Sequence, residues 1–206
     1  MNIYYIGGSP CCGKTTISEQ IAKDHNLTYF PIDESLGRYA SMGAEKGYPA
    51  CKEQWRLSPD ETWLRDVRVQ CRQELEFYRE IFGFIQEDIA ALETERDVLV
   101  EGAALLPELI KASGIPSNHY ICMTPTREFQ ITHYRKRAWV SLILEGCTDK
   151  EKAFENWMER DALFAEEVRR QAANLGYKSI LVDGGQSMQE NKEQVCACFS
   201  LPFCVK

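Results

Sequence analysis

The stretch Gly8-Ser9-Pro10-Cys11-Cys12-Gly13-Lys14-Thr15 constrains this chain more than any other, because it satisfies G-x-x-x-x-G-K-[ST] at every fixed position. Each position has a physical reason. Successive backbone N–H groups curl around phosphate oxygens, and glycine lets that backbone approach without a clashing side chain. Lys14 reaches the β- and γ-phosphates, and the Thr15 hydroxyl takes a coordination position on Mg²⁺. The surroundings match. Residues 2–6 form a short apolar, β-rich run, and Ile17, Ile21 and Ala22 recur at helical spacing afterwards. Strand, glycine loop, helix is the order in which a helix N-terminus presents its free N–H groups to an anion.

A chain of 206 residues is one ordinary domain, with core and surface fractions of a globular protein. Its net charge of −7 argues against a broad electrostatic grip on nucleic acid, leaving a few cations around one phosphate pocket. No apolar run is long enough to span a membrane, and the N-terminus passes directly into the first strand, so no membrane partner and a cytoplasmic setting are expected. Nine cysteines is an odd number, read in a reducing compartment as free thiols. Cys196, Cys198 and Cys204 lack zinc-ligand spacing and an accompanying histidine. Cys11 and Cys12 serve as small loop side chains, although a helix N-terminus and Lys14 would lower a thiol pKa there.

Further strands are predicted over residues 27–32, 97–100, 119–123 and 177–182, separated by helical patterns. This predicts an α/β fold: a five-stranded parallel sheet with helices on both faces. Sites in such sheets lie at the carboxyl ends of the strands, here Gly7 and Gly8, Asp33, Glu101, Thr124 and Asp183. The longest helix opens at Ser58-Pro59-Asp60-Glu61, a capping box with proline in the first turn, and runs to Leu92 with a kink or break at Gly83. Its aromatic stripe reads as core. Residues 33–58, punctuated by Gly37, Gly43, Gly47 and Pro49, read as an irregular, mobile lobe. Helices over 151–174 and 187–199 close the domain.

The loop alone implies nucleotide binding, and the residues at the other strand ends must distinguish among the reactions that share it. A carboxylate at Asp33 would orient an acceptor hydroxyl, with Arg38 neutralising an anionic substrate. Glu101 ends an apolar strand, where an acid holds Mg²⁺ through water or touches the substrate. Arg127, Arg135, Lys136 and Arg137 follow the fourth strand as an arginine-rich lid over residues 125–150, and Arg135 or Arg137 would neutralise charge on the transferring phosphoryl group. Arg127 would alternatively lie near the purine. His133 reads as an ordinary surface or core histidine.

In these residues the chain resembles the small-molecule kinases of the nucleoside-monophosphate-kinase type, among them adenylate, shikimate and gluconate kinases and chloramphenicol phosphotransferase. The matching pieces are Gly13-Lys14-Thr15-Thr16, Asp33 and the arginine-rich segment. Val100-Glu101-Gly102-Ala103-Ala104-Leu105-Leu106-Pro107 is similar to the E-G-x-x-L-x-P stretch of 2-phosphoglycerate-kinase-like proteins, with alanine where those often have histidine. The resemblance implies a single P-loop NTPase-type domain over residues 1–206, with an acceptor-binding helical region near 33–95, a flexible lid, and phosphoryl transfer from ATP.

These readings converge on an ATP- and Mg²⁺-dependent phosphotransferase with a small-molecule acceptor. The triphosphate would lie against Gly8, Ser9, Pro10, Cys11, Cys12, Gly13, Lys14, Thr15 and Thr16, the last at the α-phosphate. A nucleoside or nucleotide kinase is the alternative, with Tyr29, Phe30, Tyr39, Tyr48 and Trp55 available to stack a base. A nucleotide-dependent regulator without phosphoryl transfer is the alternative of another class. No N-K-x-D guanine signature is present.

Overall fold

The computed structural model describes residues 1–202. Strands β1 (Ile3–Gly8), β2 (Thr28–Pro31), β3 (Val98–Glu101), β4 (Tyr120–Pro125) and β5 (Lys178–Val182) form one sheet in the order β2-β3-β1-β4-β5. Every pairing is parallel. Because helices cover both faces, the central strands are apolar throughout rather than alternating. The pleat then divides them. Val98, Val100, Tyr120 and Cys122 enter one core with helices α5 (Val67–Ala90) and α9 (Lys150–Asn174). Leu99, Ile121 and Met123 enter the other, with α1 (Lys14–Asp24) and α10 (Met188–Phe199).

Residues 33–58 are not irregular. They fold as α2 (Leu36–Lys46) and α3 (Pro49–Gln54) after a single 3₁₀ turn at Asp33–Ser35. Two features compensate for the glycines and proline. Glu80 of α5 accepts the Ala50 and Cys51 N–H groups at 3.0 and 2.8 Å, capping α3. A Cβ on Gly43 would lie 2.3 Å from Cys51 Sγ, so glycine there permits the close packing of α2 on α3. The long helix also divides elsewhere than expected. Ser58 and Glu61 form the capping box of a short α4 (Pro59–Trp63), and Asp66 then caps α5 by accepting from Arg68 N and Val69 N. Gly83 lies inside an unbroken α5.

The segment after β4 holds α7 (Arg127–Tyr134) and the short α8 (Val140–Ile143). It is tied to α4: Thr148 donates from N and Oγ1 to Asp60, each at 2.8 Å. Trp63 packs tilted against Trp157 with ring centroids 4.8 Å apart, and Trp157 in turn meets Tyr134 and Trp139.

Among the described residues no helix is long and apolar enough to cross a membrane, and no cluster of histidine, cysteine and carboxylate side chains could hold a metal. Cys196 and Cys198 are buried against α1 and the sheet, and Cys204 lies outside the described residues.

The turn out of β1 depends on Gly8. Its φ is +116°, and a Cβ there would stand 1.9 Å from the Met123 carbonyl oxygen. Gly8→Ala should therefore cost about 3 kcal/mol or more, combining left-handed strain with a clash against backbone. Urea unfolding checks this; a loss below about 1 kcal/mol would contradict the close packing.

Candidate active site

The loop from Gly8 to Gly13 leads from β1 into α1, with positive φ at Gly8, Cys11 and Gly13. The first turn of α1 has no side-chain cap and no acidic residue. Its orphan N–H groups therefore lack the usual carboxylate or hydroxyl acceptor, which suits a bound anion. Lys14, 5% exposed, donates to the Ser9 carbonyl at 2.8 Å across the loop and lies 3.9 Å from Glu101 Oε1. Thr15 and Thr16 are exposed at the helix start, and Pro10 is half-buried. Cys12 is buried with its thiol against the Ser9 and Met123 carbonyls, while Cys11 is half-buried.

Electrostatics at this point are set by burial and a few charges. Burial disfavours the Lys14 ammonium, but Cys12, Glu101 and Asp33 around it outweigh that, and its pKa stands above the ordinary value. Burial also pushes both loop thiols up, ahead of the lowering influence of Arg137 on Cys11 and of Lys14 on Cys12. The expectation of low-pKa thiols is thereby reversed.

Glu101, brought alongside by β3, is 2% exposed. Burial raises its pKa against the opposing pull of Lys14. Its Oε2 accepts from Thr15 Oγ1 at 3.2 Å and from the Tyr29 hydroxyl at 3.1 Å. Burial and the nearby Glu101 raise the Tyr29 pKa far above its ordinary value, so this hydroxyl is a donor. Asp33 follows β2, is exposed, and accepts from Ala103 N at 3.3 Å. The loop, Glu101 and Asp33 thus gather at the carboxyl end of β1, β3 and β2, as the sheet order dictates.

The expected arginines have separate placements. Arg38 pairs with Asp88 of α5 and lies over Tyr39. Arg127 pairs with Glu159 at 3.0 Å, and Arg135 with Glu151 at 2.6 Å on the exposed start of α9. Arg137 lies over Tyr134 and Trp139, near enough to Cys11 to act on its thiol. His133 stacks on Phe129 and bonds the Phe129 carbonyl oxygen at 2.7 Å.

A second charged group belongs to none of the sequence motifs. Arg160, 12% exposed, reaches Glu74 Oε2 at 3.0 Å and Asp161 Oδ1 at 2.7 Å, over the ring of Trp63. Gln130 donates to Asp161 Oδ2 at 2.7 Å, and Ser9 Oγ donates to the Asp161 carbonyl at 3.4 Å. Glu74 also accepts from Tyr78, whose hydroxyl senses the charge of Asp33. The network therefore links the loop at Ser9 to α5 at Glu74 and Tyr78. Beside it lies a cavity of about 240 Å³ lined by Thr62, Trp63, Arg65, Gln70, Glu74 and Arg160, among others. Arg65 is held by Glu53 at 3.2 Å and by Gln73, and the Arg160 Nε lies 2.7 Å from Asp161 Oδ1. A signal for this group exists in the sequence: Glu74 and Asp161 sit at apolar-stripe positions, between Val67 and Tyr78 and between Trp157 and Phe164.

Neither a scan against family models nor a search of curated protein sequences returns a match. Solved structures do match over nearly the whole chain. TT1252 from Thermus thermophilus is 16% identical with a TM-score of 0.52, covering 95% of this chain and 94% of its own. Shikimate kinase from Bacteroides thetaiotaomicron is 14% identical with a TM-score of 0.53, covering 97% and 99%. The fold is a P-loop kinase fold.

Burial raises the Asp161 pKa from 3.8 to about 6, with Arg160 and Gln130 opposing. The folded protein thus keeps a proton that the unfolded chain has released. The stability this confers is present below the unfolded value and lost as pH rises through about 6. Relative to Asp161→Asn, wild-type stability should fall by roughly 2 kcal/mol between about pH 4 and about pH 7. Urea unfolding of both proteins across that range is the check, and a flat or rising difference would contradict the shift.

Proposed function

We propose that this protein is an ATP- and Mg²⁺-dependent phosphotransferase that acts on a small anionic acceptor carrying a hydroxyl group. The observation that carries the reading is the buried Lys14 inside a left-handed loop at an uncapped helix start, with Thr15 bonded to a buried acid. A regulator needs such a loop too, but it has no use for an acceptor carboxylate at Asp33 or for a cavity lined by two arginines.

Bound ATP with its Mg²⁺ would supply the phosphoryl group. Lys14 and the loop N–H groups hold the phosphates and neutralise charge as it spreads over the transferring group. The Thr15 hydroxyl and Glu101 form the cation end of the loop. Asp33 accepts a hydrogen bond from the acceptor hydroxyl and aims its lone pair for in-line attack. Arg160 and Arg65, both lining the cavity, bind the anionic part of the acceptor there. Arg137, next to the loop, is better placed than Arg135 to meet the phosphates when the lid segment closes.

A coupled ADP-release assay tests this with hydroxylated carboxylic acids and sugar phosphates against uncharged polyols and nucleosides. Release stimulated only by anionic hydroxyl compounds is expected; stimulation by uncharged nucleosides would favour a nucleoside kinase. Lys14→Ala should lower the stimulated rate about 100-fold or more. Asp33→Asn should keep ATP binding and lower kcat about 100-fold. Full activity in Asp33→Asn would remove it from the chemistry. Arg160→Met should raise the acceptor KM about tenfold while leaving the ATP KM unchanged.

A further inference from the structure

Tyr29 is a residue that neither the loop motif nor the acceptor carboxylate explains. It belongs to the edge strand β2, where Tyr29 pairs with Leu99 and Pro31 with Glu101. Its hydroxyl therefore reaches diagonally across the strand pair to Glu101. An edge-strand tyrosine that merely packed would leave its hydroxyl to water. This one is spent on the same oxygen, Oε2, that receives the Thr15 hydroxyl proton.

A threonine hydroxyl has one proton and two lone pairs to offer. With the proton directed to Glu101, only lone pairs remain for a cation. That orientation lasts only while Glu101 holds its place, and a second force acts on it. Lys14 Nζ stands 3.9 Å from Oε1, beyond a contact ion pair. A carboxylate free to turn would close on the ammonium and give up its hold on Thr15. Tyr29 supplies the counter-bond from the far side.

Resting on the phosphotransferase reading, we infer that Tyr29 is a positioning residue: it anchors the Glu101 carboxylate so that Thr15 presents its lone pairs to the nucleotide's Mg²⁺. Tyr29→Phe keeps the ring and removes only the hydroxyl. Titration with a fluorescent ATP analogue, with and without Mg²⁺, reads the effect without turnover. In Tyr29→Phe the Mg²⁺-free affinity should stay within about twofold of wild type, while the Mg²⁺ concentration needed for half-maximal enhancement rises roughly tenfold. In a Thr15→Ala background the same change should add nothing, because the oriented group is gone. Unchanged Mg²⁺ dependence in Tyr29→Phe, an equal loss with and without Mg²⁺, or a full additional effect on top of Thr15→Ala would each overturn the assignment. A wild-type protein whose nucleotide affinity ignores Mg²⁺ would overturn the phosphotransferase reading along with it. A circular-dichroism melt verifies that the variants fold.

Discussion

The burial of the Lys14 ammonium is the constraint on which the rest of this structure depends. A cation taken from water without partners costs several kcal/mol, so its surroundings must satisfy it. The Ser9 carbonyl does so directly, and that contact closes the loop back on itself. Glu101 does so from a distance, and its own burial is tolerable because Thr15 and Tyr29 donate to it. Three parallel strands must converge to make this possible: β1 carries the loop, β3 the acid and β2 the tyrosine and Asp33. The doubly covered sheet is thus a frame that holds the Lys14 ammonium 3.9 Å from the Glu101 carboxylate.

A second buried network repeats the logic away from the sheet. Arg160 is held between Asp161 and Glu74, and Ser9 bonds the Asp161 backbone, so cavity and loop share one set of partners. Helix α4 and the segment after β4 are likewise joined. Asp60 grips Thr148, and Trp63 packs on Trp157 beside Tyr134 and Trp139.

Much of this was legible in the sequence, for physical reasons. The loop could be read because phosphate binding fixes backbone and side-chain chemistry at adjacent positions. The strands could be read because a sheet covered on both faces needs unbroken apolar runs, as in Val98–Val100 and Tyr120–Met123. What escaped depended on contacts distant in sequence. Residues 33–58 look broken by glycine, but Glu80 and Cys51 supply the cap and the packing that make helices of them. The break at Leu64–Asp66 was hidden because hydrophobic spacing continues across it, and only the Asp66 cap marks it. Arg160 was invisible as a site residue because nothing local distinguishes a buried arginine from a surface one. Its burial comes from Trp63 and Glu74, far back in the chain.

The most direct measurement of the central claim is calorimetric titration of ATP into the protein in the presence of Mg²⁺, with Lys14→Met as the comparison. The account predicts binding at one site per chain in the wild type, competed by ADP, and loss of that binding when the ammonium is replaced by an uncharged side chain of similar length. Equal ATP binding by both proteins, or none by the wild type, would contradict the claim that the buried Lys14 exists to hold phosphate.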